Sequence, residues 1–135
     1  MKIIIDTNLW ISLLIGKRLS EMRALCNHKS ISVYICDELL TEFMRIASCI
    51  KIKRYASEER TKETMNLMRA SCKKVSIENT AKSPLLRDAN DLYLLSLSDT
   101  INADLILTGD KDLLTLKHHN KTKIVTYNEF VEQYL

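Results

Sequence analysis

Lys2-Ile3-Ile4-Ile5-Asp6-Thr7-Asn8 follows the first methionine of the chain. Three successive β-branched residues closed by an acid predict a short buried strand over Lys2–Ile5. Asp6 stands at its tip, where a charge beside an apolar run needs a reason. Outward from this stretch, strands and helices alternate. Asn8–Ile15 predicts a helix ended by Gly16, and Ser20–His28 a second one. Ile31–Cys36 predicts a strand. Asp37–Ile50 predicts a helix on the 3.6-residue spacing of Leu39, Leu40, Phe43, Met44, Ala47 and Ile50. Ser57–Cys72 predicts another, Val75–Ile77 a weak strand, and Glu78–Arg87, with Pro84, a loop. Ala89–Ile101 predicts an apolar helix and Asp104–Leu107 a strand. Asp112–Leu116 predicts a single helical turn, Lys123–Thr126 the last strand and Asn128–Tyr134 the closing helix. Apolar strands alternating with helices imply a parallel sheet covered on both faces. The expectation is an α/β, three-layer α/β/α fold with a central, mostly parallel sheet of about five strands, in one domain over residues 1–135.

Composition narrows the function. Two glycines in 135 residues, Gly16 and Gly109, exclude a P-loop and a glycine-rich dinucleotide fingerprint. No apolar run reaches the ~18 residues of a membrane span, and the apolar run before Asp6 is too short for a signal peptide. The expectation is a cytoplasmic protein. A net charge of +3 permits nucleic-acid binding without demanding it. Cys26, Cys36, Cys49 and Cys72 form no CxxC pair and read as small apolar residues. His118 and His119 lie in the polar stretch Lys117–Lys121, which reads as a surface loop. The basic group Lys111, Lys117, Lys121 and Lys123 reads by itself as a solvated face.

In open parallel sheets, ligands bind beyond the carboxyl ends of the strands. Acids gather there: Asp6 after the first strand, Glu42 on the helix after the second, Asp88 and Asp91 at the helix before the fourth, and Asp110 and Asp112 after the fourth. Each has a plain alternative. Asp6 or Asp88 can cap a helix, Glu42 can lie on a wet face, Asp91 can face the positive helix end, Asp110 can shape a turn, and Asp112 can cap the helix behind it. Together these alternatives weaken. Two carboxylates ~5 Å apart repel by about 3 kcal/mol at an effective dielectric near 20, so such a cluster holds protons or a cation. All-oxygen donors suit Mg²⁺ or Mn²⁺, and no thiolate–imidazole set suits zinc.

The motifs also carry a family resemblance. Lys2-Ile3-Ile4-Ile5-Asp6-Thr7-Asn8 resembles the opening of a PIN domain. Leu39-Leu40-Thr41-Glu42-Phe43 resembles its second acidic motif, Arg87-Asp88-Ala89-Asn90-Asp91 its third, and Leu107-Thr108-Gly109-Asp110-Lys111-Asp112-Leu113-Leu114 its fourth. Order, spacing and length match over nearly the whole chain, and the VapC-like toxins are the nearest group. Ala89 stands where many relatives have proline, and Leu92 where many have a further acid.

The resemblance implies a PIN-like, Rossmann-like fold and a metal-dependent endoribonuclease, the toxin of a type II toxin–antitoxin pair. It implies Asp6, Glu42, Asp91 and Asp110 as catalytic acids holding one or two Mg²⁺ or Mn²⁺ ions. Asp88 and Asp112 would be secondary ligands. Thr7, Asn8 and Thr108 would orient carboxylates or phosphate, and Arg45, Arg87 and Lys111 would contact RNA phosphates. Hydrolysis by water would leave a 5′-phosphate and a 3′-hydroxyl. No histidine lies in the motifs, so a cyclic-phosphate mechanism is not expected. The implied partners are an RNA substrate, an antitoxin and a second copy of the chain, with no membrane. Leu9, Trp10, Leu13, Leu14, Met22 and Leu25 are expected to be mainly core, with Trp10 the candidate for an interface. The alternatives are a non-catalytic RNA-binding module of the same fold and a PIN nuclease of RNA processing. A haloacid-dehalogenase-like phosphatase also begins with an aspartate after its first strand, but it requires a second one where Asn8 stands.

Overall fold

The computed structural model describes residues 1–78 and 89–135, residues 89–91 by backbone alone. The chain runs β1 (Lys2–Ile5), α1 (Thr7–Ile15), α2 (Leu19–Cys26), β2 (Ser32–Ile35), α3 (Asp37–Ala47), α4 (Ile50–Lys53), α5 (Glu58–Ser71) and β3 (Lys73–Lys74). It continues through α6 (Ala89–Ile101), β4 (Leu105–Leu107), α7 (Lys111–Leu116), β5 (His118–His119), β6 (Thr122–Val125) and α8 (Tyr127–Tyr134). The sheet order is β3-β2-β1-β4-β6-β5. All pairings are parallel except β5 with β6.

β1 and β4 lie at the centre, where apolar strands are covered on both faces. Ile3, Ile4 and Ile5 are fully buried, each worth about 1.5–3 kcal/mol relative to exposure. From β1 the chain steps outward to β2 and β3, then crosses back to β4 on the other side. Right-handed crossovers in opposite directions place helices on opposite faces. α1, α2, α3 and α5 pack on one another, while α6 meets β1. The result is the three-layer α/β/α arrangement. The chain order reverses between β1 and β4, and the crevice beyond their carboxyl ends is where such sheets take ligands.

α3 shows how sequence sets an element in this frame. Cys36 enters in extended conformation, Asp37 and Glu38 occupy the first turn, and Arg45 the last. These charges match the helix dipole. Leu39, Leu40, Phe43 and Ala47 form the buried stripe, which packs on α1. No helix among the described residues is long and apolar enough to cross a membrane.

Several expectations need correction. Among the described residues the sheet has six strands. The additional one is β5, at the His118–His119 stretch read as a surface loop. Two polar residues carry no period to read, and the hairpin is set by Asn120 at φ 52°. β3 falls on Lys73–Lys74 rather than Val75–Ile77. As an edge strand it needs backbone pairing with Tyr34 and Ile35 rather than an apolar face. The long helix after β2 breaks at Ser48-Cys49, because Cys49 turns extended (ψ 143°) and starts α4. Gly16 ends α1 with φ −75°, and the left-handed residue is Lys17, φ 57°. Trp10 is no interface residue. It is fully buried, as Leu13, Leu14, Met22 and Leu25 are almost entirely. Its indole N–H is the one buried side-chain polar group without a partner among the described residues. The expected loop through Pro84 lies, beyond Glu78, outside the described residues.

Candidate active site

The ladder builds the centre of the site. Ile5 registers with Leu107, so the next residues along, Asp6 and Thr108, leave β1 and β4 side by side. The Asp6 amide donates to the Leu107 carbonyl at 2.9 Å, and the Thr108 amide to the Val125 carbonyl at 3.0 Å. Asp6 is 3% exposed and Thr108 1%. The Thr108 hydroxyl donates to Asp6 Oδ2 at 2.7 Å, and its oxygen accepts the Asp110 amide at 3.0 Å. One hydroxyl thus ties the ends of both strands together and fixes the Asp6 carboxylate. Asp6 occupies the N-cap position of α1, and the Asn8 amide in the first turn, like the Thr108 hydroxyl, favours its charged form.

Burial, above all, raises the Asp6 carboxyl above its ordinary value. The Thr108 bond opposes this, and the negative charges of Glu42 and Asp110 add to it. Both acids therefore stand near enough to be felt. Glu42 comes from the half-buried side of α3, its side chain 17% exposed. Asp110 caps α7: its Oδ1 accepts from the Asp112 and Leu113 amides at 2.7 and 3.4 Å. The cap bonds use one carboxylate oxygen of two. Asp112, read as a possible cap, instead lies inside the first turn, exposed, and gives its amide to Asp110. Gly109 beside it has open space where a Cβ would stand, so the fold does not require glycine there.

Tyr93 is the residue that sequence reasoning passed over. It projects from α6, and its hydroxyl shares a 2.7 Å hydrogen bond with Thr7 Oγ1. Thr7 is fully buried. The phenol is pushed well up, first by burial and then by its bond and proximity to the Glu42 carboxylate, with Asp6 adding to it. It remains protonated and so able to donate to an acid. The only signal was a tyrosine inside the apolar run Leu92–Leu97, which by period alone reads as core.

The remaining expected residues are dispersed. Asn8 is exposed at the start of α1. Arg45 is 63% exposed, with Nη2 at 4.0 Å from Glu42 Oε1, a loose pair across one helical turn. Lys111 is exposed at the first position of α7. Arg87, Asp88 and the side chain of Asp91 lie outside the described residues. Among the described residues, no group of three or more His, Cys, Asp or Glu side chains is placed to hold a metal ion. Asp6, Glu42 and Asp110 nevertheless suit a hard divalent cation in kind. All offer oxygen, and two of them raise the third by their charge.

The comparisons agree with this architecture. The PIN domain family model matches residues 2–112. An uncharacterized protein of Methanocaldococcus jannaschii, MJ1680, is 28% identical over 145 aligned positions, covering 99% of this chain and 92% of that protein. A chain in the crystal structure of VapBC2 from Rickettsia felis bound to a DNA fragment from its promoter superposes with a TM-score of 0.58 at 14% identity. That alignment covers 92% of this chain and 97% of the other. The structure of the PIN domain endonuclease Utp24 gives a TM-score of 0.48 at 16% identity, over 82% and 72% of the two chains. The first acidic motif ends β1, the fourth follows β4 where the strand order reverses, and the family model spans residues 2–112: the chain belongs to the PIN domain family.

Proposed function

We propose that this PIN domain is a divalent-metal-dependent endoribonuclease that works in the cytoplasm as the toxin of a toxin–antitoxin pair. One observation carries the reading: a buried carboxylate, Asp6, is held by Thr108 at the sheet's reversal point, with the charges of Glu42 and Asp110 pressing on it. A fold does not need that arrangement for stability, since ionising Asp6 there is costly. A cation shared by the acids offsets the cost. Asp6, Glu42 and Asp110, with Asp91, would hold it. Bound there, Mg²⁺ or Mn²⁺ would supply Lewis acidity to the attacking water and the leaving oxygen.

The protein's own groups do the rest. Thr108 fixes the Asp6 carboxylate by its hydroxyl, so the acid needs no reorganisation when substrate arrives. Tyr93, protonated and bonded to Thr7, holds the α6 side of the site against α1 and faces Glu42. Arg45 and Lys111 are exposed cations that would take phosphate oxygens, as would Arg87, which lies outside the described residues. The motif resemblance to VapC-like toxins supports the toxin role. An antitoxin and a second copy of the chain belong to the same proposal.

The test is cleavage of an RNA panel by the purified protein with Mg²⁺, Mn²⁺ or EDTA, beside Asp6→Asn. Metal-dependent cuts ending in a 5′-phosphate, lost in the variant, are expected. Mn²⁺ is also expected to raise the melting temperature of the wild type more than that of Asp6→Asn. Cyclic-phosphate ends, or equal metal responses, refute the scheme.

A further inference from the structure

A second basic surface lies away from the carboxylates. A cleft of about 540 Å³ is lined by Leu114, Lys117, His118, Lys121, Lys123 and Ile124, with Glu129 at its margin. All three lysines and His118 are exposed. None of them makes an ion pair among the described residues, whereas Lys74 pairs with Asp37 and Arg18 with Glu21. The lining includes one acid, Glu129, whose Oε1 accepts from the Thr126 hydroxyl at 3.1 Å, so the cations outnumber it.

Two features show that the fold gains little from these side chains. Lys123 stands directly opposite His118 across the β5–β6 pair, a position where opposite charges or apolar contact would stabilise the sheet. Lys117 takes φ 62° and ψ −45° at the end of α7, a conformation that favours glycine over a side-chain-bearing residue. The competing account is that edge-strand lysines keep β5 from pairing with another chain. Lys121 lies in the turn after β5 rather than on it, and this account does not explain a lysine held at a strained corner.

The cleft is joined to the candidate active site by a rigid element. Asp110 caps one end of α7 and Lys117 closes the other. Seven residue steps at 1.5 Å per residue separate them by about 10 Å, or about three nucleotides at a stacked rise of ~3.4 Å.

We propose that Lys117, Lys121, Lys123 and His118 form a docking track for the phosphate backbone of an RNA strand whose scissile bond lies at the acids. This rests on the nuclease reading and adds to it a place for the strand beyond the cut. The lysines contact phosphates and carry no base specificity. A polyanionic strand is the occupant that matches four cationic or proton-accepting side chains spread along a cleft, rather than one compact anion.

The experiment is anisotropy of a labelled single-stranded RNA on the whole protein in EDTA, where no cleavage occurs, across 50–200 mM salt. Each phosphate contact contributes about 0.7 to the log–log slope. Lys117→Gln/Lys121→Gln/Lys123→Gln is expected to flatten the slope by about 2, and Lys117→Gly alone by about 0.7 while raising the melting temperature. An unchanged slope, no binding by the wild type, or displacement by polyglutamate as effective as by unlabelled RNA overturns the proposal. Absence of cleavage with Mn²⁺ counts against the nuclease reading alone, because the slope is read without metal.

Discussion

Thr108→Val removes the hydroxyl that joins the two strand ends while keeping the side chain's shape. Two bonds go: the donation to Asp6 Oδ2 at 2.7 Å and the acceptance from the Asp110 amide at 3.0 Å. A bond to an ionised acceptor is worth about 1.5–3 kcal/mol and an amide left without a partner costs about 1 kcal/mol or more. The sum is a loss of about 2–4 kcal/mol at neutral pH. At ~2.1 cal/mol/K of unfolding entropy per residue, a chain of 135 residues shifts by about 3.5 °C per kcal/mol. Thr108→Val should therefore melt about 7–14 °C below the wild type. Thr108→Ser, which keeps the hydroxyl, should lose far less.

The pH dependence adds a second reading of the same variant. Burial holds the Asp6 carboxyl above its ordinary value of 3.8, and the Thr108 bond restrains that rise. A raised acid loses its proton first in the unfolded chain. Stability from this group therefore falls as pH climbs from the ordinary carboxylate range to the folded value, and stays low above it. Without the hydroxyl the folded value rises further, so the fall is larger and extends to higher pH. The gap between wild type and Thr108→Val should widen as pH rises. Urea unfolding by circular dichroism from pH 4 to 8 measures it. A gap independent of pH, or no greater than that of Thr108→Ser, refutes the claim that Thr108 acts through the Asp6 carboxylate.

Asp110 has a capping role that can be separated from any metal role. Asp110→Ala should cost about 1 kcal/mol through the lost cap, whereas Asp110→Asn should keep the cap and lose the Mn²⁺-induced rise in melting temperature. Trp10→Ala should cost about 3–5 kcal/mol by emptying a fully buried site, with no change in oligomeric state by light scattering beyond that caused by unfolding.

The sequence by itself determined the alternation of elements, the buried first strand and the acids at the strand ends. Ile3–Ile5 is a continuous β-branched apolar run, and such a run favours a strand covered on both faces. The Asp37–Ala47 helix was legible because its buried stripe repeats at the helical period. β3 and β5 were not legible. Each is two residues long and lies at a sheet edge, where backbone pairing decides the conformation and side chains leave no pattern. Trp10 could face a partner or the core, and the stacking of α1 on α3 decided for the core.

Tertiary structure alone gave the site its internal connections. That Asp110 rather than Asp112 caps α7 depends on where β4 releases the chain. That Thr108 holds Asp6 follows from a register joining residues 102 apart, and that Tyr93 meets Thr7 from helices 86 residues apart. Local sequence encodes which residues favour a strand or a helix. Which hydroxyl reaches which carboxylate depends on how the sheet assembles, because that contact exists only after distant elements share one core.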